Sequence, residues 1–199
     1  MKLPGFETQE IKEILISTIA LGFIFAYPNI DLMIIALYIF VLGISFVPHE
    51  LAHKFMAMKY GAYARYEMWK QGLAFALLLA VITGGGFVFA APGAVVIYTQ
   101  FMSKRGYHEI YITEKKNAYI SLVGPGMNVL VALLFFLASP LVSGEFLGLI
   151  VAMVIHVNLF LALFNMIPMH PLDGSKIFAW DKKVWLAMFA LVFVLWQII

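Results

Sequence analysis

Long apolar segments alternate with short polar ones along this chain. The apolar segments occupy residues 14–27, 32–58, 71–100, 118–141, 146–167 and 184–199. A helix needs about 20 apolar residues to cross the hydrocarbon core of a bilayer. The pattern therefore predicts an all-α polytopic membrane protein with five to six transmembrane segments, folded as one domain over residues 1–199.

The uncharged segment 71–100 has two halves with different preferences. Residues 72–82 are rich in Ala and Leu and favour a helix, which Gly84-Gly85-Gly86 should end. Residues 87–98 are rich in Val, Phe and Ile and have Pro92-Gly93 at their centre, which predicts a small re-entrant β-hairpin with an edge strand. Such backbone is tolerated at membrane depth only when protein buries it or a wet cavity adjoins it.

Composition supports the membrane assignment and limits the chemistry. Hydrophobic residues make up 63% of the chain and charged residues only 12%, whereas a soluble domain has about 25% charged residues. The net charge of +2 is too small to indicate a nucleic-acid partner. The chain has no cysteine, which excludes a thiolate metal site and a cysteine nucleophile.

One polar group interrupts the second apolar segment, namely His49-Glu50-Leu51-Ala52-His53. On a helix, His49 and His53 lie one turn apart on the same face, so two neutral imidazoles can hold one zinc ion. Glu50 beside them can accept a proton from zinc-bound water. Because the pattern fixes only three positions, polar residues that snorkel or cap near the helix end remain an alternative.

A candidate third ligand, Asp173, lies just after the apolar segment 146–167. Asp173 follows Pro168 and Pro171, which turn the backbone, and precedes Gly174, which permits a tight turn. Two His and one carboxylate would leave zinc an open position, as in catalytic sites. Alternatively, Asp173 caps a helix that starts at about Ser175.

Positive residues indicate an orientation in the membrane. Lys and Arg occur between the apolar segments at 59–70, 104–116 and 176–183 and are absent from the turns at 28–31 and 139–145. Because Lys and Arg favour cytoplasmic loops, we expect the N-terminus and these segments in the cytoplasm and both turns outside. This orientation places His53 and Asp173 at the same, cytoplasmic, membrane face.

Three motifs together resemble the site-2 protease family of intramembrane zinc metalloproteases. They occur in the family's order as His49-Glu50-x-x-His53, Gly124-x-x-x-Asn128 and Asn165-x-x-Pro168-x-x-Pro171-Leu172-Asp173-Gly174. The resemblance implies that His49, His53 and Asp173 bind Zn²⁺ and that Glu50 is the general base. It also implies a substrate that is itself a transmembrane helix, cut within or near the lipid bilayer. The chain resembles a minimal form without a PDZ insertion.

Two asparagines are candidates for further catalytic roles. The resemblance suggests Asn128 and Asn165 as hydrogen-bond donors to the oxyanion, although Asn128 could equally serve helix packing beside Gly124. An edge strand within 87–98 could pair with extended substrate. A metal-ion transporter or metal-binding membrane protein is the alternative function, and the sequence does not predict an oligomeric state.

Overall fold

The computed structural model describes residues 6–103 and 106–199 and is mostly helical. The helices are α1 (Thr8–Ala26), α2 (Leu32–Lys59), α3 (Lys70–Ile82), α4 (Glu114–Ala138), α5 (Glu145–Asn165), α6 (Asp173–Trp180) and α7 (Lys182–Ile198). The strands are β1 (Tyr63–Met68), β2 (Gly93–Tyr98), β3 (Gln100–Ser103) and β4 (Gly106–Glu109). Lys104 and Arg105, which contributed to the predicted orientation, lie outside the described residues.

Among the described residues, three helices are long and apolar enough to cross a membrane: Leu32–Lys59, Glu114–Leu141 and Glu145–Asn165. They confirm the mostly helical fold and support the predicted membrane protein. The finer count of five to six spans stays a prediction, because α1 carries charged residues in its first turns and α7 has 17 residues. Asp31 starts α2 by accepting hydrogen bonds from the backbone amides of Met33 and Ile34, and Gly61, at a φ of +88°, follows its end.

The described chain divides into two compact units. The first unit contains residues 6–39 and 57–111, and the second contains residues 40–56 and 112–199. Helix α2 contributes to both. The assignment of one domain to the whole chain therefore stays a prediction.

In the first unit, strand β2 confirms the predicted strand, but the predicted hairpin centred on Pro92-Gly93 is wrong. Strand β2 pairs antiparallel with β1, so that Tyr66 lies opposite Val95. Residues 87–92 form no strand. The partner strand is short and carries charges, and it lies on the other side of α3 in sequence, so local patterning did not reveal it.

Helix α1 covers the other edge of β1. The carboxylates of Glu10 and Glu13 accept hydrogen bonds from the backbone amides of Tyr66 and Met68, at 3.0 and 2.9 Å. The phenol of Tyr66 donates to Ser17 Oγ at 2.8 Å. These bonds explain why a helix in so apolar a chain begins with acidic residues, since an uncovered strand edge leaves its amides without partners.

The second unit is a helical core that supports the candidate site. Helices α4, α5 and α7 pack around a cluster of buried apolar residues: Val129, Ala132, Ile155, Leu159, Ala162 and Val192. Thr113 Oγ1 caps α4 by accepting from Lys116 N. Asp181 caps α7 by accepting from the backbone amides of Lys183 and Val184. These caps fix the first turns of α4 and α7, and Asp173 lies in the connection between α5 and α7.

Candidate metal centre

Helix α2 brings His49 and His53 together. The two residues are four positions apart, both side chains are buried, and their Nε2 atoms lie 3.0 Å from each other. Pro48 lies inside the helix, which continues through it. Glu50, the residue next to His49, is also buried. The helical spacing therefore places the imidazoles as the sequence predicted.

Asp173 joins the two imidazoles from a distant part of the chain. Its Oδ2 lies 3.4 Å from His49 Nε2 and 3.0 Å from His53 Nε2, while its Oδ1 lies 3.6 Å from Lys176 Nζ. Burial disfavours the ionised form of this carboxyl group, whereas the positive charge of Lys176 favours it. The ionised carboxylate is also the form that binds a metal ion.

The alternative role of Asp173 as a helix cap is wrong. Helix α6 begins at Asp173 itself, with Leu172 at the N-cap position. The turn before it is tightly held, because Trp185 Nε1 donates to the Met166 carbonyl at 2.7 Å and a Cβ at Gly174 would collide with that carbonyl. The glycine thus lets the backbone approach closely enough to fix the position of Asp173.

The other ring nitrogens of the histidines define where the protons lie. His53 Nδ1 is 2.6 Å from the Ile120 carbonyl oxygen, and His49 Nδ1 is 2.6 Å from Asn128 Oδ1. A carbonyl oxygen only accepts, so in each neutral imidazole Nδ1 carries the proton and Nε2 presents a lone pair. Metal-ligating histidines are oriented in this way.

The resulting cluster fits a cation. Two imidazole lone pairs and a carboxylate oxygen face one another, and these ligand atoms all lie within 4.8 Å. Buried acceptors that converge without a donor are unfavourable, and a metal ion resolves their repulsion. Gly124 leaves the room for this arrangement, because a Cβ there would collide with the rings of His53 and His49.

Comparison with curated proteins identifies the chemistry. The chain is 37% identical over 186 residues to "Putative zinc metalloprotease MJ0611" of Methanocaldococcus jannaschii. The matched region covers 93% of this chain and 91% of that protein. It is 26% identical over 156 residues to "Putative zinc metalloprotease YwhC" of Bacillus subtilis. This match covers 70% of this chain and 66% of that protein. The chain belongs to this zinc metalloprotease family. No family profile and no solved structure matches the metalloprotease.

Zinc is the metal of this metalloprotease, as its relatives and its buried His-His-Asp group together show. Two imidazoles and one carboxylate occupy three positions of a tetrahedral zinc and leave the fourth open for a water molecule or the substrate. His170, which lies three residues before Asp173, is exposed and does not belong to the ligand group. The donor set therefore favours a catalytic site over a closed structural one.

The two candidate asparagines of the metalloprotease have different surroundings. Asn128 is fully buried, and its Nδ2 donates to the Ser45 carbonyl and to Asn158 Oδ1, both at 2.9 Å. Both N–H groups are thus used, and the geometry favours an orienting role for Asn128 over oxyanion binding. Asn165 is half-buried and donates to the Leu161 carbonyl of its own helix. Within residues 6–103 and 106–199, no hydrogen bond joins it to the metal ligands.

Sequence reasoning missed Ser45 and Asn158, which contact Asn128. The available signal was weak. Asn158 is one of four polar residues in α5, together with Glu145, His156 and Asn165, and a polar residue in such an apolar helix is a candidate for function. Nothing in the local sequence, however, showed that its partners lie on α4 and α2.

Proposed function

We propose that this protein is an intramembrane zinc metalloprotease of the site-2 type, which hydrolyses peptide bonds of transmembrane-helix substrates. The placement of the metal ligands carries the proposal. His49 and His53 are buried on Leu32–Lys59, a helix long and apolar enough to cross a membrane. Asp173 follows a second such helix, Glu145–Asn165. A zinc site built on membrane helices favours a substrate that also lies in the membrane.

Within the site, Glu50 has the central chemical role. Zinc held at this site would supply a Lewis acid that lowers the pKa of water toward about 7 and polarises the scissile carbonyl. Glu50 accepts the proton of the attacking water and later delivers it to the leaving amine. His49, His53 and Asp173 would hold the ion, and Asn128 keeps His49 in the orientation that would bind it.

Asn165 remains the candidate donor to the oxyanion. One of its two amide N–H groups bonds to the Leu161 carbonyl, which leaves the other for substrate. One preorganised donor of this kind contributes roughly 10²–10³ in rate in other hydrolases. Asn128 has no such spare donor, so we assign it to orientation alone.

Strand β2 offers a place for an extended substrate segment. Glu10 engages the Tyr66 amide, so this amide points away from β2 and the pair Tyr66–Val95 is not hydrogen-bonded. The backbone groups of Val95 therefore point to the opposite, outer edge of β2. A helical substrate must unwind before attack, and pairing with an open strand edge would stabilise its extended form.

The orientation and location follow from the lysines. Lys115 and Lys116 lie in the first turn of α4, and Lys182 and Lys183 lie in the first turn of α7. The turns at 28–31 and 139–145 contain no Lys or Arg. We therefore propose a multi-pass protein of the cell membrane whose active site opens toward the cytoplasm.

The test uses purified protein in vesicles with single-span substrate proteins. Wild type should release fragments that mass spectrometry maps within or near the substrate's membrane segment. Glu50→Gln should lower the rate by about 10²–10⁴-fold, the usual contribution of a general base, while metal analysis shows zinc retained. Glu145→Gln, which changes an exposed glutamate at the start of α5, is the matched control and should cleave like wild type.

Two results would contradict the proposal. Cleavage by Glu50→Gln at the wild-type rate would remove Glu50 as the base. Wild-type protein that moves zinc across the vesicle membrane and cuts no membrane substrate would favour the metal-ion transporter instead.

A further inference from the structure

A chain of buried hydrogen bonds leads from His49 into the packing of the helices. Ser45 on α2, Asn128 on α4 and Asn158 on α5 are each 0% exposed. Buried polar groups among apolar helices are costly unless each finds its partners. Three such residues in contact are therefore more than packing requires, and the direction of each bond shows what they do.

The chain starts at Ser45, whose proton has a fixed destination. Its hydroxyl donates to the Val41 carbonyl at 2.8 Å, which leaves the oxygen to accept from Asn158 Nδ2 at 2.7 Å. The second N–H of Asn158 donates to the Val154 carbonyl at 2.8 Å. Reversing the Asn158 amide would place its oxygen against that carbonyl, so this orientation is strongly preferred.

Asn158 in turn orients Asn128. Asn158 Oδ1 and the Ser45 carbonyl both accept from Asn128 Nδ2, each at 2.9 Å. The amide oxygen of Asn128 is thereby directed at His49 Nδ1, 2.6 Å away. His49 must then carry its proton on Nδ1, which leaves the Nε2 lone pair directed at the metal position.

Asn158 Oδ1 and the Ser45 carbonyl both disfavour the reversed orientation of the Asn128 amide, because it would place Oδ1 of Asn128 against two acceptors. Without Asn158 one of these acceptors is lost, and Asn128 can adopt the reversed orientation. A reversed Asn128 would present N–H groups to His49 Nδ1. It would thus favour the tautomer protonated on Nε2, the atom that binds the metal. The arrangement at Asn158 therefore bears on metal binding although Asn158 does not contact the metal ligands.

We propose that Asn158 is a positioning residue of the zinc site, which acts through Asn128 to hold His49 in the tautomer that binds metal. Ser45 supports it by accepting from Asn158. The inference concerns the metal centre and does not depend on the class of substrate.

Zinc affinity provides the first measurement. Asn158→Leu keeps the side-chain size and removes every hydrogen bond, and it should raise the zinc Kd by about 10-fold or more, the usual effect of losing an outer partner of a ligand. Leu159→Ala is the matched control, because Leu159 is the next residue of α5 and lies buried in the apolar cluster. It should lower thermal stability and leave the zinc Kd unchanged.

The tautomer of His49 is the second measurement, and a purely structural role would not change it. The zinc-free protein is labelled with ¹⁵N-histidine and studied by NMR. The signals of its five histidines are assigned by substituting each histidine in turn. Wild type should show His49 protonated on Nδ1, and Asn158→Leu should show a fraction protonated on Nε2. If Asn158→Leu does not fold, Ser45→Ala should show the same two changes to a smaller extent.

A double-mutant cycle tests the route through Asn128. In an Asn128→Ala background, Asn158→Leu should cause no further loss of zinc affinity. The inference would be overturned if Asn158→Leu kept the zinc affinity and the His49 tautomer of wild type. It would also be overturned if Leu159→Ala lost as much zinc affinity as Asn158→Leu, or if the losses of the two variants in the cycle were additive. If the tautomer shifts as expected while wild type cleaves no membrane substrate, the inference stands and the proposed function fails.

Discussion

Two buried polar clusters, one in each unit of this chain, pair their side chains differently. In the first unit, acceptors meet donors, as where Glu10 accepts from the Tyr66 amide. In the second unit, three acceptors meet one another, since His49 Nε2, His53 Nε2 and Asp173 Oδ2 converge. A cluster whose donors and acceptors match stabilises the fold by itself, whereas a cluster of acceptors requires a cation.

The charged cluster around Arg65 in the first unit also matches donors with acceptors. Arg65 donates to Glu7 and Glu67, and the phenols of Tyr63 and Tyr98 donate to the same two carboxylates. Burial and the bond to Glu7 raise the pKa of Tyr63 to about 12. Since Arg65 and the two phenols supply the donors for both carboxylates, this set stabilises the fold without needing a cation.

Removal of the carboxylate ligand should have the largest effect on the acceptor cluster. Asp173→Ala should raise the zinc Kd by more than about 100-fold, because even outer partners of a ligand contribute 10–100-fold. Metal analysis after dialysis against a chelator measures it. Asp181→Ala is the matched control, since Asp181 only caps α7, and it should keep its zinc. Unchanged zinc in Asp173→Ala would remove Asp173 as a ligand.

A methyl group added at the cluster should be nearly as damaging. Gly124→Ala places a Cβ against the rings of His53 and His49, whereas Gly126→Ala, on the same helix, meets nothing within 4 Å. Zinc titration should show at least about a 10-fold weaker Kd for Gly124→Ala. Gly126→Ala should bind zinc normally and gain up to about 1 kcal/mol of stability from helix propensity. Equal zinc affinity in both variants would contradict the close packing at Gly124.

In the first unit, loss of one buried donor should change stability alone. Tyr66→Phe removes the bond to Ser17 Oγ and should lower the free energy of unfolding by about 1 kcal/mol with no change in zinc affinity. Thermal unfolding in detergent measures it, with Tyr111→Phe, at an exposed tyrosine, as the control. A loss of zinc binding in Tyr66→Phe would erase the distinction between the two clusters.

The smallest effect is expected at Glu67 and depends on pH. The hydrogen bond from Tyr98 and the contact with Arg65 outweigh burial and hold the pKa of Glu67 below its ordinary 4.5. Its stabilising contribution is therefore complete above that value and is lost as the pH falls through the lower folded-state pKa. Because the side chain is 36% exposed, the contribution is below about 1 kcal/mol.

The corresponding variant is Glu67→Gln, compared with wild type in chelator so that zinc does not contribute. Unfolding curves should show wild type slightly more stable near neutral pH and the two proteins converging in acid. A difference that grows as the pH falls would reverse the sign and contradict the assigned pKa shift.

The structural features that the sequence predicted are those that residues close together in the chain determine. A helix over residues 32–58 was predicted, and in the structure α2 runs from Leu32 to Lys59. The pairing of His49 with His53 on one face was also predicted, because a spacing of four fixes neighbours on a helix. The pairing of β2 was not predicted, because its partner lies beyond α3 and carries charges that resemble a polar loop.

The candidate site divides in the same way. The motifs named His49, His53 and Asp173 as ligands and Glu50 as the base, and the structure brings the three ligands together. The orienting role of Asn128 could not be read from its spacing to Gly124, because an amide can donate or accept and only its neighbours decide which.

The sequence alone determined that this is an apolar, helical chain with two imidazoles one turn apart, since composition and helical periodicity are local properties. Only the tertiary structure decided that Asp173 faces those imidazoles and that Ser45 and Asn158 orient Asn128. Both results depend on distances between side chains on different helices, which packing sets and which spacing along a chain does not contain.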